Sequence, residues 1–431
     1  MSVTRRQFLG TSAAAVIVAG TMARGKVFGA NDRVRVGVVG IHGRGGSHIQ
    51  GFSRLPGSEV VALCDCDKNV LAGCAKDLED QTKQKPKTFV DMRDLFADNA
   101  IDAVSFATPN HWHALGAVWA CQAGKDVYVE KPLSHEVWEG RQLAAAAKKC
   151  NRVVQHGTQR RSEPDWVRAM QRMKEGVIGE VYMARALCYK RRDSIGFQET
   201  SEPPAHLDWN LWQGPAQERA YCANFVHYNW HWFWDYGNGD LGNQGVHQMD
   251  VAVWGLGKGF PTRVASMGGR YGYEDQGETA NTQVCNYLYD DGKLLVFEVR
   301  GRYTNDEKGV MVGNLFYGSD GYMAEAKFYD KEGKEIPDEK GVNAAELGVT
   351  GDHFFSFIQA VNSRKEEDIH GTALEGHISA GHCHLGNISY RLGRELRFDA
   401  TAERFVGEGA DDANKMLTRE YREPFVVPQL A

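Results

Sequence analysis

Gly40, Gly43, Gly45 and Gly46 crowd into one short stretch, GVVGIHGRGGSHIQGF, where an apolar run turns into a helical pattern. Bare backbone N–H groups at such a turn, at the positive end of a helix, favour a pyrophosphate. The usual G-x-G-x-x-G spacing is absent. Read from Gly40, His42 stands at the middle glycine and only Gly40 and Gly45 fit. With a Cβ at that place, the His42 imidazole must turn aside or itself touch the phosphates, while Gly43 and Arg44 supply the close approach and the charge. Asp65 ends a second apolar run, 20 positions after Gly45. A carboxylate there hydrogen-bonds the ribose hydroxyls of a dinucleotide. Asp67 lies close by and no arginine follows directly, so a 2′-phosphate would be repelled and NAD is expected over NADP. A third piece, ATPNHWH from Ala107 to His113, follows another apolar run. In such folds the carboxyl edge of the sheet is where ligands bind.

The elements that must position these groups alternate. VRVGVVG, EVVALCD, TFV, IDAVSFATP, DVYVEKP and RVVQHGT read as strands, and helical patterns separate them. Strands divided by helices of about 10–15 residues predict a doubly wound parallel sheet, a Rossmann domain over residues 33–155. After that the texture changes. VYMARALCY, TRVASMGGRYGY, TQVCNYLYDDGKLLVFEVRGRYT and GVMVGNLFYGSDGYMAEAKFYD are strand-rich, with DDG and SDG turn signals. They predict a second α/β domain over residues 156–431, built on a large, mainly antiparallel open sheet. Helices return at DHFFSFIQAVNSR and HISAGHCHLGNISYRLGREL.

The 431 residues suffice for two domains, and 42% hydrophobic with 25% charged is ordinary globular material. A net charge of −6 gives no reason to expect nucleic acid as a partner. The first thirty residues read as a leader. TRRQFLG, Thr4 to Gly10, precedes the short apolar stretch AAAVIVAG and resembles a twin-arginine export signal, with cleavage expected between Ala23 and Asn31. That places the mature protein in the periplasm or otherwise outside the cytoplasm, delivered folded by the twin-arginine machinery. Nine cysteines without framework spacing read as small hydrophobes.

VYVEKPLS, with Glu130-Lys131-Pro132 after a strand, and TPNHWH before it resemble the Gfo/Idh/MocA oxidoreductases. So do GTQRRS, LDWNLWQGPA, NWHWFWDYGNGDLGNQGVHQMDVAVWGLG and HLGNISYRLGREL, in that order over essentially the whole mature chain. The resemblance implies the two-domain fold and a homodimer or homotetramer formed through the large sheet. It implies that Gly40, Gly45, Asp65, Thr108, Pro109, Asn110 and His113 line the cofactor, with Glu130 and Lys131 near the nicotinamide. The implied chemistry is hydride transfer between a sugar or polyol hydroxyl carbon and the cofactor. Such transfer needs a base for the hydroxyl proton and a cation near the developing alkoxide. His247, in the family's D-x-x-x-H-x-x-D segment, is the implied base, and Lys131 its electrostatic partner. This chain departs from that segment at Asn243, which can orient a hydroxyl but cannot exchange a proton. Asp250 is expected to brace His247 or its helix.

FVHYNWHWFWDYGNGD packs Phe, Tyr and Trp beside polar groups, as a carbohydrate pocket requires. Tyr228, Trp230 and His231 are the expected substrate contacts, with Asn243, His247 and the two arginines Arg160 and Arg161 of GTQRRS. Phe233 and Trp234 read equally as core. His111, His382 and His384 stand in H-x-H spacings with no third ligand in view, so no metal is expected. Soluble nicotinamide cofactor is not expected outside the cytoplasm, so a tightly held, internally recycled one is. Three functions stay open: a redox-neutral oxidoreductase, an NAD-dependent glycosidase of the same family, and a non-catalytic sugar-binding relative.

Overall fold

The computed structural model describes residues 33–302 and 304–431, so the leader and its cleavage site lie outside the described residues. The first sheet is built from β1 (Val34–Val39), β2 (Ser58–Cys64), β3 (Lys87–Phe89), β4 (Ala103–Phe106), β5 (Asp126–Glu130) and β6 (Val154–Gly157). Between them run α1 (Arg44–Ser53), α2 (Lys68–Thr82), α3 (Met92–Ala97), α4 (Asn110–Gln122) and α5 (Val137–Lys149). Strand order is β3-β2-β1-β4-β5-β6 and every pairing is parallel. The chain therefore reverses direction between β1 and β4, leaving a crevice at their carboxyl ends. β4 and β5 are buried along their whole length, and β1 almost so, because helices cover both faces.

Two glycines of the β1–α1 turn are steric necessities. Gly40 has φ +75°, and a Cβ there would lie 2.7 Å from the Thr108 backbone nitrogen. A Cβ on Gly45 would lie 2.1 Å from the Gly40 carbonyl oxygen.

The second half contributes α6 (Pro164–Lys174), β7 (Val181–Cys188), α7 (Trp209–Gln213), α8 (Gly239–Gly242) and α9 (Gly245–Leu256). Strands β8 (Arg263–Gly269), β9 (Thr282–Leu288), β10 (Leu294–Arg300), β11 (Val312–Gly318), β12 (Gly321–Ala324), β13 (Lys327–Asp330) and β14 (Glu335–Ile336) follow. Then come α10 (His353–Ser363), α11 (Ala373–Leu392), β15 (Leu396–Asp399), β16 (Arg404–Val406) and α12 (Ala410–Lys415). The ten-stranded sheet runs β14-β13-β12-β11-β7-β10-β9-β8-β15-β16. It is mixed: β7 and β10 pair in parallel and the other pairs are antiparallel. α9 and α11 pack one face into a core with Phe297, Phe316 and Tyr287. The other face is covered over β7 and β11, where Leu187 and Leu315 are buried with Val310, and open over β8 and β9. Met267 and Val284, registered partners on β8 and β9, are both exposed.

The sheets follow the chain, but the first core does not stop near residue 155. α10 lays Phe354 and Phe357 against Phe52 and Tyr128, and Phe425 packs edge-on to Trp112. Among the described residues, no helix is long and apolar enough to cross a membrane.

Candidate active site

A cavity of about 530 Å³ opens at the β1–β4 crevice. That lies within the range of ligand sites. The β1–α1 turn and the ends of β2, β4 and β5 form one wall, and residues 211–247 form the other.

On the first wall Asp65 fixes the glycine turn. One carboxylate oxygen accepts the Ile41 N–H at 2.9 Å and the other the Asp67 N–H at 2.9 Å. Burial pushes its pKa up against these two bonds. Asp67, two residues on, does different work. It is buried and caps α2, accepting from Asn69 and Val70 N–H. α1 begins at Gly43 with no side-chain cap, so its first N–H groups face the cavity. His42 has turned aside: its ring stacks on His227 at 4.5 Å.

Arg44 donates to Glu130 at 2.7 Å, and Gln159 does so at 3.2 Å. His48, held by Ser105 at 2.7 Å, reaches Glu130 at 3.1 Å. Burial would raise the Glu130 pKa, but His48 and Arg44 together hold it well below the usual carboxylate range. Thr108, Pro109 and Asn110 line the cavity, and the buried Thr108 hydroxyl has no hydrogen-bond partner among the described residues. Asn110 donates to Asn238 at 3.1 Å. His113 ties the β4 end to the β5 turn, with ring nitrogens 2.8 Å from the Thr108 carbonyl and 2.6 Å from that of Pro132.

At the far end Lys131 donates to both the backbone and side-chain oxygens of Asn243, each at 3.1 Å. Burial lowers its pKa from the usual lysine value. His247 stands on the first turn of α9 with Nδ1 facing the Thr158 carbonyl at a long 3.5 Å. That assigns the proton to Nδ1 and leaves Nε2 as an acceptor. Burial first, and the Lys131 charge second, push His247 down to about 3. The pair therefore holds its proton on lysine and keeps the imidazole neutral at neutral pH. His231 is arranged alike. Its Nδ1 meets the Tyr228 carbonyl at 2.6 Å, its ring lies 3.6 Å from that of Trp230, and burial pushes it to about 3. Tyr228 stands half exposed at the mouth, where Arg192 donates to its hydroxyl at 3.3 Å.

Several expectations are corrected by this geometry. Arg161 does not face the cavity. It is buried behind it, fork-on to Asp250 at 2.9–3.2 Å and to Glu375 at 2.6 Å. Asp250 thus does not touch His247 but braces its helix, tying α9 to Arg161 and to Ser379 on α11. Arg160 also turns away, pairing with Glu163 at 2.9 Å over Trp166. The cavity takes Gln159 from that motif instead. His227, beside the expected Tyr228 and Trp230, also lines the cavity, as do Leu211, Trp212 and Asp91, none of them expected from the sequence. Asn243 lines the cavity with its two oxygens engaged by Lys131, so only its amide N–H groups remain for a hydroxyl. Phe233 belongs to the core with Phe225 and Tyr236. His111 and His382 bond backbone and tyrosine oxygens, and no group able to hold a metal occurs among the described residues.

Comparison with known proteins agrees with the two halves. Residues 34–158 match the Gfo/Idh/MocA oxidoreductase family's NAD-binding Rossmann fold, and residues 193–427 match its C-terminal alpha/beta domain. The chain belongs to the Gfo/Idh/MocA oxidoreductase family. Over 162 residues it is 31% identical to a protein of Shewanella baltica named glycosyl hydrolase family 109 protein, covering 36% of this chain and 35% of that one. A protein of the same name from Shewanella pealeana is 29% identical over 209 residues, 43% of this chain and 46% of that one. The matches thus span less than half the length of these curated relatives. Among solved structures, the WlbA dehydrogenase from Bordetella pertussis in complex with NADH and UDP-GlcNAcA has a TM-score of 0.62 at 19% identity, covering 85% of this chain and 99% of that one. GenD2 from gentamicin A biosynthesis in complex with NAD gives 0.60 at 21%, covering 87% and 99%. At these identities the likeness is one of fold.

Proposed function

We propose that this protein oxidises or reduces a hydroxyl-bearing carbon of a sugar or polyol with a tightly held NAD. The observation that carries this is Lys131, part-buried without a carboxylate at its ammonium and beside a neutral His247, in a cavity continuous with the glycine turn. The chain's residues fit the dinucleotide. Gly40 and Gly45 leave room for close approach, the uncapped α1 start suits a pyrophosphate, Asp65 meets the ribose, and the free Thr108 hydroxyl awaits a partner. When bound, NAD supplies the hydride acceptor. In the oxidation direction His247 Nε2 takes the hydroxyl proton while the C–H carbon gives up hydride, and the Lys131 ammonium stabilises the growing alkoxide. Asn243 holds that ammonium in place. Trp230, His231 and Tyr228 offer a stacking and hydrogen-bonding edge to a sugar ring. Asp65 favours NAD over NADP.

Export through the twin-arginine route is part of the proposal and rests on Arg5 and Arg6 within TRRQFLG. Self-association through the open sheet rests on the exposed Met267–Val284 pair. A second reading, favoured by the names of the Shewanella relatives, is a redox-neutral glycosidase using the same site. One experiment separates them. Native protein is denatured and the released nucleotide identified by absorbance and mass, then intact protein is incubated with sugars and their aryl glycosides. Keto-sugar or reduced cofactor supports the oxidoreductase; free aglycone without net reduction supports the glycosidase. No nucleotide, released or bound on addition, refutes both.

A further inference from the structure

The segment that faces the glycine turn is fastened to the Rossmann half at the start of α4, where the Trp112 indole donates to the Leu211 carbonyl at 3.0 Å and a His111 ring nitrogen lies 2.9 Å from the Trp212 carbonyl, and again at the start of α2. Leu207 bridges to Asp67, the Lys68 N–H donates to the His206 carbonyl at 2.9 Å, and the Asp208 N–H donates to the Cys66 carbonyl at 2.9 Å. These main-chain bonds hold the segment in place. Beside them is a side-chain fastening. The second oxygen of the Asp67 carboxylate, not used in capping, faces His227 Nε2 at 3.2 Å and His206 Nε2 at 3.5 Å. The other face of the His227 ring lies on His42, centroids 4.5 Å apart and planes 29° apart. His42 sits in the very turn that receives a pyrophosphate, and both rings line the cavity.

We infer that His227 is a cofactor-retaining residue supplied by the second half of the chain, closing the nucleotide cavity by stacking on His42 with its Nε2 edge against the Asp67 carboxylate. This rests on the nucleotide reading above and adds what limits exchange. The main-chain pairing of Leu207 and Asp208 keeps the segment docked, so the His227 side chain is the part that must swing for the nucleotide to pass. It explains why a Cβ-bearing residue occupies the place of the second glycine: His42 gives up close approach and gains a lid contact.

The test is a release measurement. Full-length protein, wild type and His227→Ala, is loaded with 1,N6-etheno-NAD and chased with excess NAD while fluorescence is followed. His227→Ala should release the probe roughly fivefold faster or more, the effect expected when a ring stack and a contact to a carboxylate are lost together. His227→Phe keeps the ring on His42 and loses the polar edge against Asp67, so its rate should fall between the two. Thermal melts check that each variant is folded, and His227→Phe decides the matter if His227→Ala is not. Indistinguishable release rates overturn the role of His227 and leave the nucleotide site standing. Failure of the wild type to take up the probe, in protein that releases no nucleotide on denaturation, overturns the nucleotide reading itself.

Discussion

The two walls of the cavity are made in different ways. The Rossmann wall is mostly main chain: a glycine turn, strand ends and a helix start, pinned by carboxylates that each hold two or more partners. Glu130 has Arg44, His48 and Gln159, and Asp65 has two backbone N–H groups. The facing wall is mostly side chain on irregular backbone, with rings stacked on rings and imidazoles tied by one nitrogen to a carbonyl. The first wall offers charge-complementary backbone and little freedom. The second offers neutral acceptors whose free edge is available. Binding is expected to depend on the first and turnover on the second.

The sharpest way to break that division is His247→Ala. Loss of a positioned base costs roughly 10²–10⁴ in turnover, and nucleotide content should be unchanged; a variant that loses nucleotide as well would collapse the distinction. Asp250→Ala tests the support behind the wall. It removes one of the two carboxylates that hold Arg161 and the acceptor of the Ser379 hydroxyl, leaving Glu375 as the remaining partner, so urea unfolding should show a loss of about 1–3 kcal/mol. Acid should act on the whole structure. His111, His135, His156, His231, His247, His382 and His384 are all pushed down by burial. Below about pH 6.5 the unfolded chain takes up protons that these folded sites refuse, so stability falls as pH falls, by up to ~1.4 kcal/mol per pH unit for each such group. The melting temperature should drop between about pH 7 and pH 5. Activity in folded protein should show no acid limb from His247 in that range, and an alkaline limb, set by Lys131, below the ordinary lysine value. At the small end, Arg160→Ala should change stability by no more than ~1 kcal/mol and leave KM for any sugar unaltered, because its pair with Glu163 is part-exposed and outside the cavity.

The Rossmann wall was legible because its chemistry is written in main-chain requirements. Apolar runs mark the strands, and Gly40, Asp65 and Thr108 fall at their ends. The facing wall was legible only as a region. FVHYNWHWFWDYGNGD pointed to the right segment, but which rings face inward depends on an irregular path with no period of two or of 3.6. Hence Tyr228, Trp230 and His231 were named and His227 was not. The same holds for GTQRRS. Gln159 takes φ +58°, which turns its side chain into the cavity and sends both arginines away. The partners of Arg161 lie far along the chain at Asp250 and Glu375, and local pattern carries no trace of them. The mixed sheet was read as mainly antiparallel, and its one parallel pair, β7 with β10, joins strands separated by the whole facing wall.

The placement of α10 has a consequence for how the molecule comes into being. Phe354 and Phe357 complete a core whose strands were all synthesised long before them. A ribosome-bound chain that has finished β6 therefore carries a nucleotide fold with part of its hydrophobic floor missing. Such long-range closure slows folding and leaves apolar surface waiting for its cover. The first domain made is among the last to be sealed, and stable loading with nucleotide belongs to the nearly finished chain.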